Sequence, residues 1–140
     1  MNMRAAKYFF GAAALSISTI ASSASIMVTS TSEDTVGQSI VYNLRNKIAQ
    51  SSLHKIVYTR EQAGFIIAIV TLKQDDGSAA YSAVLLMPPF DKKGFDYYVT
   101  SIVGYCGSNV TERCGANILA SFDQDMTDIS TAVQETIKKK

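Results

Sequence analysis

The chain has 140 residues, 13 Lys/Arg against 12 Asp/Glu, and 47% apolar side chains. That length supports one hydrophobic core rather than two, and that apolar share is too high for a disordered chain. The near-neutral balance removes the usual reason to expect a nucleic-acid partner, and one His, two Cys and no Trp leave little material for metal sites or His-based catalysis.

Arg4 and Lys7 precede an apolar run, Tyr8 to Ala21, and small residues follow at Ser22-Ser23-Ala24-Ser25. Positive, apolar, then small is the pattern of a secretory signal peptide. Cleavage is expected after Ala24, with Ser23 as the near alternative. The run is 14 residues long, short of the roughly 20 that cross a bilayer, so no stable membrane insertion is expected once residues 1–24 are removed. Their loss leaves 11 basic against 12 acidic side chains. The Ala-rich signal points to a bacterial origin and a periplasmic or extracellular address. In a eukaryotic secretory route, Asn109-Val110-Thr111 would be a glycosylation acceptor.

Residues 25–35 are rich in Ser and Thr without an apolar period and read as a flexible leader to a single domain over 36–140. Asp34 or Thr35 can cap a helix, and Val36, Ile40, Leu44 and Ile48 then form an amphipathic stripe reaching about Ser52; Gly37 weakens its first turn. Strands are predicted over 55–59, 64–73, 79–87 and 95–103, with a turn at Asp76-Gly77 and Pro88-Pro89 as a stop. The run 65–72 is apolar on both faces and is expected to be central, with both faces covered. Residues 117–122 fit either a helical turn or a short strand. Met126, Ile129, Val133 and Ile137 mark a last helix, with Ser121 or Asp123 as its cap. The expected fold is α+β: an N-terminal helix, a three- to four-stranded antiparallel sheet and a C-terminal helix.

Cys106 and Cys114 are the only cysteines, and both lie in the exported part. An even pair in an oxidising compartment reads as a structural disulfide. Seven residues between them argue against a redox pair, and the single His54 cannot complete a four-ligand zinc site.

Each candidate chemistry meets an ordinary structural explanation. His54 has no G-x-S-x-G partner motif. Asp123, Asp125 and Asp128 lack the ligand spacing of a calcium loop. Nothing selects two of Glu61, Asp75, Asp76, Asp91 and Asp96 as a hydrolytic pair. No phosphate loop occurs, and no cofactor is expected. Lys138-Lys139-Lys140 is too few basic residues for an anionic-lipid site. Tyrosine is the mild excess, and Tyr97, Tyr98 and Tyr105 lead into the disulfide loop. A rigid aromatic patch suits an interface, and alternation puts Tyr97 and Tyr98 on opposite faces. The expected function is a non-catalytic binding module for a protein or envelope partner. The alternatives are a structural or assembly accessory of the cell envelope and, behind it, a carboxylate-based hydrolase.

Overall fold

A computed structural model describes residues 23–139. Its elements in chain order are β1 (Ala24–Ser30), α1 (Thr35–Gln50), β2 (His54–Val57), β3 (Phe65–Lys73), β4 (Ala79–Met87), β5 (Tyr97–Cys106) and α2 (Thr111–Lys138). The strands form one sheet in the order β2-β1-β3-β4-β5. β1 runs parallel to both β2 and β3, whereas β3–β4 and β4–β5 are antiparallel.

The protein is α+β, but the expected arrangement is corrected in three respects. The sheet is mixed and has five strands, not three or four antiparallel ones. The first described element is a strand, so α1 is not N-terminal. The segment 25–35, expected to be a flexible leader, is the second strand of the sheet followed by the cap of α1. Within it Ala24, Ile26 and Val28 are buried at alternate positions. This is a period of two, carried by three apolar residues, with Ser25, Met27 and Thr29 on the other face. The expected signal segment lies almost wholly outside the described residues.

α1 forms where its stripe predicts, and Asp34 caps it by accepting from the Gly37 N–H at 2.7 Å. The same carboxylate accepts from the Thr71 hydroxyl of β3. Gly37 is there for space: a Cβ would come within 2.8 Å of Asp34 Oδ2 and collide with Thr71. α2 starts at Thr111 and takes in residues 117–122, which are therefore helical. Ser121 and Asp123 are interior residues of that helix, not caps; Ser121 Oγ donates back to the Asn117 carbonyl at 2.7 Å.

Both helices pack on one face of the sheet, over Ile26, Ile67, Ile69 and Leu85, with Leu44 and Phe122 between them. Gly115 lets α2 press directly on the α1 backbone, since a Cβ there would lie 2.8 Å from Leu44 N. β3 is central, as its composition predicts. Its second face is covered over half its length: Ile66 packs with Val57 and Ala63, while Val70 and Leu72 are exposed. Ala63 is fixed in place by Lys92 Nζ on its carbonyl at 2.5 Å.

Cys106 and Cys114 are disulfide-bonded, tying the last residue of β5 to the first turn of α2 with a Cα–Cα distance of 6.2 Å. Because α2 has no side-chain cap at Val110, this bond holds the helix start in place of one.

Candidate interaction surface

β2 and β5 are the two edges of the sheet. Edge strands carry unpaired N–H and C=O groups, and proteins normally blunt them by shortness, by Lys or Pro, by bulges or by a covering loop. β2 is blunted: it has four residues, one of them Lys55. β5 has ten residues, Tyr97-Tyr98-Val99-Thr100-Ser101-Ile102-Val103-Gly104-Tyr105-Cys106, with no charge and no proline.

The register of β5 on β4 shifts once. Leu85 faces Thr100 and Leu86 faces Tyr98, leaving Val99 as the extra residue of a β-bulge. The bulge changes which tyrosines share a face. Strict alternation would group Tyr97 with Tyr105, because their numbers differ by an even step. With Val99 inserted, Tyr98 opposite Leu86 and Tyr105 opposite Ala80 stand on the same, helix-free face. Tyr97, opposite Met87, stands on the other. The expected separation of Tyr97 from Tyr98 is what the register shows, and Tyr98 is the one that joins Tyr105.

Cross-strand pairing sets the relief of this face. Leu72, Ala80 and Tyr105 form one row; Val70, Ser82 and Val103 form the next. The middle residue of each row is small, so β4 floors a shallow groove of about 450 Å³ between larger side chains of β3 and β5. Those walls are open to solvent: Val70 is 54% exposed, Leu72 69%, Val103 81% and Tyr105 78%, and Tyr98, farther along the same face opposite Leu86, is 65% exposed. Tyr98 is steadied by its hydroxyl, 3.0 Å from Ser101 Oγ, and Tyr105 by the adjoining disulfide. Gly104 accommodates the Tyr81 ring on the helix side, where a Cβ would lie 2.7 Å from the Tyr81 hydroxyl oxygen.

Several of the other candidate residues have structural partners. His54 Nε2 lies 2.6 Å from Asp123 Oδ1, joining β2 to α2, with the imidazole only 5% exposed. Its Nδ1 is buried without a hydrogen-bond partner among the described residues. Asp96 pairs with Arg60 at 2.5 Å. Asp76 closes the β3–β4 turn by accepting from the Ser78 N–H and hydroxyl, which hold its carboxyl below the ordinary range. Asp91 accepts from the Lys93 N–H at 3.0 Å. A cleft of about 660 Å³ lies at the start of α1 beside Glu33, Asp34, Lys73 and Ser108. Burial pushes the Asp34 carboxyl up, but the bonds from Thr71 and the Gly37 N–H outweigh it and hold the pKa below 3.8. A carboxylate so occupied serves as the cap of α1. Among the described residues no cluster of three or more His, Cys, Asp or Glu side chains is placed to hold a metal ion, and no helix is long and apolar enough to cross a membrane.

No family model and no curated protein matches the chain. Among solved structures it is similar to the hypothetical protein CT253 from Chlamydia trachomatis, at 10% identity with a TM-score of 0.51, over 75% of this chain and 98% of that one. A PelC dodecamer from Paraburkholderia phytofirmans is matched at 14% identity with a TM-score of 0.41, over 71% of this chain and 83% of that one. The first likeness concerns the fold alone.

Proposed function

We propose that this is an exported, non-catalytic binding module whose contact surface is the helix-free face bordering β5. One observation carries the reading: the bulge at Val99 gathers Tyr98, Val103 and Tyr105 on one exposed face, beside Val70 and Leu72 and with no charge on the strand. Aromatic side chains held by a disulfide and a hydrogen bond lose little entropy on contact, and tyrosines are common interface anchors. The partner on this reading is a protein or envelope complex in a compartment outside the cytoplasm, a placement supported by the pattern of residues 1–24 and by the disulfide. A constitutive accessory role would use the same face. A hydrolase would need a pair of free carboxylates in a cleft, whereas Asp34, Asp76, Asp96 and Asp123 serve a cap, a turn and two ion pairs.

The test compares three substitutions once a partner is recovered with the native exported protein. Tyr98→Ala and Tyr105→Ala should each weaken affinity about 30-fold, the equivalent of about 2 kcal/mol. Tyr97→Ala, on the opposite face, should leave affinity unchanged. Equal affinities for all three folded variants would refute the surface, and substrate turnover abolished by a single acid-to-amide change would refute the non-catalytic reading. Intact-mass analysis should show a mature start at Ala24 or Ser25; a full-length mass would refute the export route.

A further inference from the structure

The uncharged edge of β5 beyond its bulge has a partner that the geometry identifies. We infer that β5 pairs antiparallel with β5 of a second copy of this chain, joining two sheets into one of ten strands. The inference rests on the reading of the β5 border as a contact surface and assigns its edge to self-association.

Three observations select a second copy over an unrelated strand. The two edges are treated differently: β2 is short and carries Lys55, while β5 from Thr100 to Cys106 has no blunting device beyond its bulged start. A two-fold interface brings one patch against itself, so any charge on it would meet a like charge. Here the patch is neutral through three layers. The helix-free groove on one side of β5 has no charged lining residue among the described ones. Nor does the groove of about 530 Å³ on the other side, where Asn117, Ala120 and Ser121 of α2 border Ile102. Finally, the strand is self-complementary. A two-fold centred on Val103, the midpoint of Thr100–Cys106, sets Val103 against its own copy, Ser101 against Tyr105 and Ile102 against Gly104. Large then faces small at both of the off-axis pairs. The exposed rows of the two copies become one continuous apolar floor, and small α2 residues line both sides of the axis on the helix face.

Sedimentation equilibrium of the native exported protein at micromolar concentration, together with cross-linking, tests this. The mass should be twice that of one processed chain. Val103→Lys places like charges against each other on the axis and should give a monomer with unchanged circular dichroism; Ser101→Lys, off the axis, should weaken the dimer less. In otherwise native protein, Val103→Cys should form an interchain disulfide, while a cysteine at exposed Leu53 should not. A monomeric wild type overturns the inference, as does a dimer that persists in folded Val103→Lys or a Val103→Cys protein that never cross-links. Tyr98 lies outside the paired stretch, so Tyr98→Ala should stay dimeric. A monomer that still binds its partner through Tyr98 and Tyr105 overturns the pairing alone. A dimer whose partner affinity ignores both tyrosines overturns the binding surface alone.

Discussion

Gly115→Ala is a sharp test of how the helices are held, because two effects of known size oppose each other there. Gly115 lies inside α2, where alanine is favoured over glycine by about 1 kcal/mol in helix propensity. On that ground alone the substitution stabilises. The added Cβ, however, would sit 2.8 Å from Leu44 N, 3.2 Å from Asn43 C and 3.3 Å from the Ile40 carbonyl oxygen. All three are backbone atoms of α1, which no rotamer change can move. Restoring ordinary contact near 3.4 Å requires the helices to part by about 0.6 Å, and a gap of roughly 0.5–1 Å already forfeits a quarter to a half of each facing dispersion contact. Overpacking of this kind costs about 1–3 kcal/mol. Subtracting the propensity gain leaves a net loss of up to about 2 kcal/mol, or a Tm lower by up to roughly 8 °C for a domain of this size. Urea unfolding followed by circular dichroism measures it. A Gly115→Ala protein stabilised by the full propensity gain would mean that the helices do not cross as closely as described.

The Cys106–Cys114 bond should leave no free thiol until reduced, and its loss should cost about 2.5 kcal/mol on the loop-entropy model, read as a lower Tm in reductant. Two alkylatable thiols in native protein would contradict it. Asp34→Ala removes the α1 cap and should cost about 1 kcal/mol at neutral pH. Because hydrogen bonds hold the native pKa of Asp34 below 3.8, the carboxylate's contribution is complete above the unfolded value and fades as pH falls through the native one; wild type and variant should converge in acid, and a gap that persists there would refute the assignment. Asp123→Ala leaves buried His54 with neither ring nitrogen partnered by protein and should cost about 1–3 kcal/mol. Asp123→Asn, which keeps an acceptor, should recover much of that in the same unfolding assay; equal losses in both would count against the hydrogen bond as its source.

Elements whose pattern is local and unbroken were legible in the sequence. The α1 stripe, the run that becomes β3, the limits of β4 and the cysteine pair all announce themselves within ten or fifteen residues. β1 did not, because only three apolar residues carry its period and its partners β2 and β3 lie some 30 to 40 positions later in the chain. The first turns of α2 were hidden for a related reason. Gly115 reads as a turn former, and only the proximity of α1 explains a glycine inside a helix. The surface was half legible. Tyrosines near the disulfide marked the region, but which of them share a face depends on the bulge at Val99, and a bulge is a mismatch between two strands that neither strand displays alone. The blunting of one edge and not the other required knowing which strands are the edges.

The position of β1 also orders events in time. A processing enzyme needs its substrate extended and accessible on both sides of the scissile bond, yet Ala24 is buried and its strand is paired on both sides, to β2 and to β3. If the proposed signal is removed at Ser23 or Ala24, the cut has to precede the insertion of β1 between its neighbours. On that proposal, proteolysis comes first and closure of the sheet's centre follows it.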